Sequence, residues 1–295
     1  RRTIKMALTC GEETVTAFNG AGWLAKNRRE LIDAEYALNE GGGGQVSPDG
    51  KRTVLSMQVG EKTVANFRLE TTNPGGHSSM PRPDNAIYSL SAALNRIGKS
   101  DFPVQFSDTT RSFFTPLAPA VPPAMARAIQ DLLANPQDKA ADAIVSMDPT
   151  LHSTLRTTCV ATMLDGGHAM NALPQRARAI VNCRIFPGES MESVQATLAN
   201  VINDAQVSIT PIIEDRPLAS PPPLSPKIFG PAEKLAAEMF PGVPMLPTMS
   251  TGATDGIFLE AVGIPTYGVP GIFYDADGGG IHGLNERIRV KSLYD

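Results

Sequence analysis

Four places in the 295-residue chain set side chains that can move protons or hold a metal ion beside glycine-rich turns. Glu12 and Glu13 stand in Thr-Cys-Gly-Glu-Glu (9–13), and Glu40 ends Ala-Leu-Asn-Glu and runs into four glycines (41–44). Asp255 sits in Gly-Ala-Thr-Asp-Gly (252–256), and His282 in Gly-Gly-Gly-Ile-His-Gly (278–283). Carboxylates and imidazole together suit a borderline divalent cation such as zinc, and glycine lets backbone approach a ligand closely. Singly, each has a plainer reading. A glutamate pair after a strand is a solvated helix start, and a lone histidine in a glycine loop makes local hydrogen bonds. Other motifs fail on spacing. The four-glycine run lacks the Lys-Ser/Thr of a phosphate loop, and His-Gly-Leu-Asn-Glu (282–286) is not the helical His-Glu-x-x-His of zinc proteases. Thr-Met-Ser-Thr-Gly (248–252) departs from the serine-hydrolase elbow at its first position.

Hydrophobic periodicity predicts the elements that must position these residues. Strands are expected at 3–8, 34–38 and 53–59, with a helix at 21–31. Strand-helix-strand order with short connections predicts a mostly parallel α/β sheet, whose strand carboxyl ends gather ligands. Glu12-Glu13 and Glu40 follow two of those strands. Residues 64–71 then alternate in character, as in a half-exposed strand of an open sheet. A helix is expected at 85–97, with Asp84 as N-cap and Ile87, Leu90, Leu94 and Ile97 on one face. Strands at 156–163 and 177–186 follow. A helix capped by Ser190 and carrying Val194, Leu198, Val201 and Ile202 comes next, and a strand at 207–213 closes the set. That order is the split β-α-β-β-α-β arrangement. It is interrupted by an insertion at about 99–155 that holds a proline-rich stretch and two expected helices. The proline-rich segment 216–226 reads as a linker. Helices around 232–239 and 255–262 and a strand at 265–269 then restore the first pattern. The expected fold class is α/β. One mixed-sheet domain is built from 1–62 and 217–295, and a split-βαβ lid spans 63–216.

Composition excludes several classes. Twenty-six Lys+Arg against 30 Asp+Glu leave a formal charge of −4, without the dense basic stretch of a nucleic-acid surface. No apolar run approaches the ~20 residues of a membrane span. Three cysteines (Cys10, Cys159, Cys183) build neither a disulfide framework nor a four-cysteine zinc site, and all three are expected as free thiols. The apolar stretch before Cys10 is too short for a signal peptide, which needs ~7–15 residues.

The motifs acquire a joint meaning in order. Thr-Cys-Gly-Glu-Glu (9–13), Ala-Leu-Asn-Glu-Gly-Gly (37–42) and Gly-Gly-His-Ser-Ser-Met-Pro (75–81) are followed by Gly-Gly-His-Ala-Met-Asn-Ala-Leu-Pro (166–174), Gly-Ala-Thr-Asp-Gly (252–256) and Ile-His-Gly-Leu-Asn-Glu (281–286). Together they resemble the dizinc aminoacylase/carboxypeptidase family, which includes acetylornithine deacetylase, succinyl-diaminopimelate desuccinylase, glutamate carboxypeptidase and the Gly-X carboxypeptidases. The resemblance implies a zinc-exopeptidase-like domain with a ferredoxin-like lid through which chains dimerise. It implies two Zn2+ per complete site, or Co2+ or Mn2+ in their place. Glu12 is then the general base, Glu13 and His282 ligate one metal, and Glu40 ligates the other. His77 of the lid stabilises the oxyanion in a partner's site, Asn171 binds substrate, and Asp255 is a further substrate-side candidate. The implied substrate is a small peptide with a free C-terminal carboxylate, cleaved by a carboxypeptidase or dipeptidase. The alternatives are an N-acyl amino acid deacylase and a non-catalytic dimerising fragment. Neither nucleic acid nor membrane is an implied partner.

The chain departs from the family pattern in three places. The family's His-x-Asp motif and later bridging Asp have no counterpart among the eleven residues before Glu12, so the chain is expected to be the later part of a longer protein. Gly11 stands where many relatives carry Asp, and Ile257 where aminoacylases carry Arg.

Overall fold

The computed structural model describes residues 3–13, 18–213, 216–218, 221–269, 271–275, 277–281 and 283–294. Its strands are β1 (Ala37–Asn39), β2 (Gly43–Val46), β3 (Arg52–Glu61), β4 (Thr63–Thr72), β5 (Gly76–His77), β6 (Thr158–Gly166), β7 (Ala172–Leu173), β8 (Arg176–Ile185), β9 (Val207–Ile212), β10 (Met245–Ser250), β11 (Thr266–Gly268) and β12 (Phe273–Tyr274). The chain divides into two compact units, one from 1–62, 106–154 and 216–295, the other from 63–105 and 155–215.

In the first unit the sheet runs β1-β11-β3-β2-β12, with β10 also on β3. Three pairs are parallel (β1/β11, β10/β3, β12/β2) and two antiparallel (β11/β3, β2/β3), so the sheet is mixed rather than mostly parallel. Both antiparallel pairs are made on β3, by β11 and by β2. Gly43-Gly44 of β2 lies within the four-glycine run, which carries no strand signal in its side chains. Leu55, Met57 and Val59 of β3 pack with Met245, Phe240, Tyr267 and Phe273 to form the core. The expected strand at 3–8 pairs with no strand among the described residues. Ile4, Met6 and Leu8 are accordingly 90%, 84% and 91% exposed. Gly20–Asn27 and Arg29–Ile32 form two short helices in place of one.

Residues 106–154, which the sequence places inside the lid, fold with this unit. They form four helices among the described residues rather than two: Asp108–Leu117, Pro123–Ala134, Lys139–Val145 and Pro149–Thr154. The first packs on β10, and its start is fixed by a capping box between Ser107 and Thr110. Buried Lys62 reaches Ser153 at 3.2 Å.

The second unit is an antiparallel sheet in the order β6-β8-β4-β9, with helices Ala86–Ile97 and Met191–Ile202 packed against each other and on the sheet. The alternation in β4 reads directly as Ala65, Phe67 and Leu69 inward, meeting Leu90, Val181, Val194 and Leu198. Asn85, not Asp84, caps the first helix by accepting from the Ile87 and Tyr88 amides, while Asp84 pairs with Arg82. Ser190 caps the second helix through the Ser193 amide. One expectation is overturned here. Cys159 and Cys183 lie directly opposite on β6 and β8, with Cα atoms 4.1 Å apart, and form a disulfide. Spacing in the sequence hides this, because antiparallel register creates the proximity. Among the described residues no helix is long and apolar enough to cross a membrane.

Candidate metal-carboxylate site

Three chain segments converge at one edge of the first unit. The first segment runs to Cys10, whose carbonyl accepts from the Gly20 amide at 2.8 Å and folds the chain back. Gly11 makes the turn at φ +85°, and a Cβ there would lie 1.9 Å from the Phe18 carbonyl oxygen. That contact explains why no side chain stands before Glu12. Strand β1 delivers Asn39 and then Glu40. Gly41, at φ +128°, brings the chain so close to Gln58 that a Cβ would meet its Oε1 at 2.4 Å. The third segment is the loop after β10, ending in Thr254-Asp255 at the start of helix Gly256–Ala261. The carboxyl ends of strands supply two of the three segments, as in other open α/β sheets.

The carboxylates sense one another. Glu12 is half-buried, and its carboxyl is raised above the usual range by burial, then by the charges of Glu40, Glu13 and Asp255, with Arg216 pulling the other way. Glu40 is raised by partial burial, then by Glu13 and Asp255. Like charges held together disfavour ionisation, and a bound cation reverses that penalty. The donor set therefore fits a divalent metal in its chemistry. Among the described residues, no three of these groups already stand close enough to enclose an ion. His282, the expected imidazole ligand, lies outside the described residues.

Asp255, expected to face substrate, is only 6% exposed and has both oxygens engaged. Oδ1 accepts from Asn19 Nδ2 at 2.7 Å and Oδ2 from Thr9 Oγ1 at 3.1 Å. Asn19 in turn caps helix Gly20–Asn27 by accepting from the Gly22 amide. Asp255 thus ties the Glu12-Glu13 turn to the β10 loop. Beneath that loop sits Glu61, a residue the motif reading passed over. Its Oε2 accepts from the Thr254 amide (2.9 Å), Thr254 Oγ1 (2.8 Å) and Gln58 Nε2 (3.2 Å). Burial raises Glu61 to about 7 against the pull of those bonds. Neighbouring Glu260 is raised to about 8 by burial and by the Glu61 charge. The sequence signal was a Glu-Lys pair closing the run Val-Leu-Ser-Met-Gln-Val-Gly (54–60).

The second unit brings His77 and Asn171 together. β5 and β7 pair His77 with Ala172, and the Ser78 amide donates to the Asn171 carbonyl at 3.0 Å. Both residues are exposed. The Ser79 amide donates to His77 Nδ1 at 3.2 Å, with Ser79 Oγ at 2.7 Å. Nδ1 is therefore an acceptor, and the neutral ring carries its proton on Nε2.

Residues 59–210, from the end of β3 through most of β9, match the peptidase dimerisation domain of the M20 family. The chain belongs to the M20 peptidase family. An M20 relative, the probable carboxypeptidase S-like 2 of Dictyostelium discoideum, is 27% identical over 293 residues, covering 95% of this chain and 55% of the relative. The N-fatty-acyl-amino acid synthase/hydrolase PM20D1 of Homo sapiens is 28% identical over 273 residues, 88% of this chain and 53% of that protein. The chain spans about half the length of the curated relatives it matches. The M20 metallo-carboxypeptidase Sso-CP2 of Sulfolobus solfataricus shares the fold, with a TM-score of 0.60 at 17% identity over 96% of this chain and 65% of that one. The M20 fold, a mixed α/β domain with a dimerisation lid, is thus the architecture of this chain.

Proposed function

We propose that this chain carries the later part of a zinc-dependent M20 peptidase that hydrolyses an amide bond in small peptides with a free C-terminal carboxylate. The observation that carries this reading is the convergence of Glu12, Glu13 and Glu40, each raising or raised by the others, in a chain that aligns over 95% of its length with a carboxypeptidase S-like relative. Glu13, Glu40 and His282 would hold the cation, with two zinc ions in a complete site. When bound, zinc supplies a Lewis acid for water and the scissile carbonyl.

The chain's own residues then do the following. Glu12 takes a proton from the attacking water on its carboxylate and delivers it to the leaving amine. Burial and the neighbouring carboxylates raise its carboxyl, which makes it a stronger base toward water than an ordinary glutamate. His77 donates from Nε2 to the oxyanion that develops on the substrate carbonyl. Asn171, held beside it by the β5–β7 ribbon, orients the substrate. Chains pair through the lid as homodimers, consistent with the dimerisation domain they carry.

A second reading has its own support. The relative PM20D1 is by name an N-fatty-acyl-amino acid synthase/hydrolase, so an N-acyl amino acid is the alternative substrate. A panel of zinc-loaded assays separates them. A carboxypeptidase cleaves dipeptides and blocked peptides with a free C-terminus faster than N-acetyl, N-succinyl or N-oleoyl amino acids, and the reverse order favours the deacylase. Hydrolysis of none of these substrates by protein with the complete metal site contradicts both.

A further inference from the structure

The strand β3 ends in two buried polar side chains, Gln58 and Glu61, that the chemistry above does not use. They are 7% and 6% exposed. A carboxylate so deep needs donors, because desolvating it unpaired costs more than packing an apolar side chain there. Glu61 gathers three on one oxygen, and all come from residues that border the carboxylate site. Two belong to Thr254, the neighbour of Asp255, and one to Gln58, which lies against Gly41, the neighbour of Glu40. Backbone pairing fixes the frame around it. The Lys62 amide donates to the Ser250 carbonyl at 3.0 Å, and Ser250 is in register with Glu61. Thr254 Oγ1, besides donating to Glu61, accepts from the Gly256 amide at 3.1 Å and so sets the first turn of the next helix. The other Glu61 oxygen, Oε1, is buried and has no hydrogen-bond partner among the described residues. A side chain recruited for stability alone would gain nothing from that orphaned oxygen.

We propose that Glu61 is a positioning residue for the carboxylate site. Through Thr254 and Asp255 it fixes the turn that carries Glu12 and Glu13, and through Gln58 it fixes the loop that carries Glu40. It touches none of the three. The inference rests on the reading that these glutamates form one metal site, and it deepens that reading.

Hydrogen exchange followed by mass spectrometry on protein carrying all 295 residues tests it, with zinc affinity measured on the same samples by chelator competition. In Glu61→Leu, peptides covering 252–256, 9–13 and 39–42 should exchange at least tenfold faster, while lid peptides from β4 and β8 keep the wild-type rate. Zinc affinity should fall by about 10–100-fold, the usual effect of removing a group that orients metal ligands. Glu61→Gln, which keeps an acceptor for Thr254, should recover most of both losses. Should Glu61→Leu fail to fold, Thr254→Val removes one of the three bonds and should give the same pattern at smaller amplitude. Wild-type exchange at 9–13 and 39–42 in the variants overturns the proposal. So does an equal rise across the β3–β10 core, which is the mark of a purely structural role. Failure of the metal reading is distinct: the wild-type protein itself would bind no zinc, whatever the exchange pattern of the variants.

Discussion

Glycine at position 11 and the glutamate pair that follows are coupled by geometry rather than by chemistry. With φ at +85° and the Phe18 carbonyl filling the space of a Cβ, the turn admits no side chain. Gly11→Ala should therefore destabilise the first unit by about 1–2 kcal/mol from the backbone conformation alone, with the clash adding to it. A denaturant midpoint indistinguishable from wild type would show that the turn relaxes freely. The glutamates and histidines were singled out in the sequence as candidates because their motifs are local: a residue type, a glycine, a strand before it. Thr9, Asn19, Gln58, Glu61 and Thr254 were not. Their roles depend on bonds between residues far apart in the chain, such as Thr9 to Asp255 and Glu61 to Thr254, and no local pattern encodes a partner 246 or 193 residues away.

Elements with strong periodicity survive translation into structure with small shifts at their ends. The lid helix Ala86–Ile97 buries Leu90, Ala93 and Ile97, close to the expected face, although Ile87 stays partly exposed. Its true cap is one residue later than expected, since Asn85 reaches two amides while Asp84 is drawn off by Arg82. Asn85→Ala should cost the lid about 1 kcal/mol in a denaturation experiment, and Asp84→Ala less. The elements that escaped the sequence are those made by pairing. β2 begins in a glycine run, and the segment at 3–8 has strand character but no neighbour among the described residues. Helix Gly256–Ala261 contributes a pH dependence. Glu260 on it and Glu61 beneath it face each other, with Arg216, Tyr267, Thr254 and Gln58 around them. Both carboxyls are raised in the folded state, to about 8 and about 7, so folding favours their protonated forms. Their contribution is present at low pH and is lost as pH climbs through about 7 and then about 8. The denaturant midpoint should fall between pH 5.5 and 8.5 in the wild-type protein, and fall less in Glu260→Gln. Equal slopes in the two proteins would show that the pair does not titrate in this range.

At the scale of the whole molecule, two units read from periodicity as a mixed-sheet domain and a split-βαβ lid belong to an M20 chain. The sequence placed residues 99–155 by their position between two lid elements. The fold places 106–154 by packing, because helix Asp108–Leu117 lies against β10. The cysteine pair carries the same lesson, since Cys159 and Cys183 meet only when β6 and β8 are in register. We propose that the glutamate cluster performs metal-dependent amide hydrolysis, with Glu12 moving the proton. The most direct test is turnover of the best substrate by wild-type and Glu12→Gln protein, with bound zinc measured on the same samples. In Glu12→Gln kcat should fall by about 10²–10⁴-fold, as when a general base is removed, while zinc content and KM stay near wild type. Unchanged kcat in Glu12→Gln, with zinc present, would contradict this proposal.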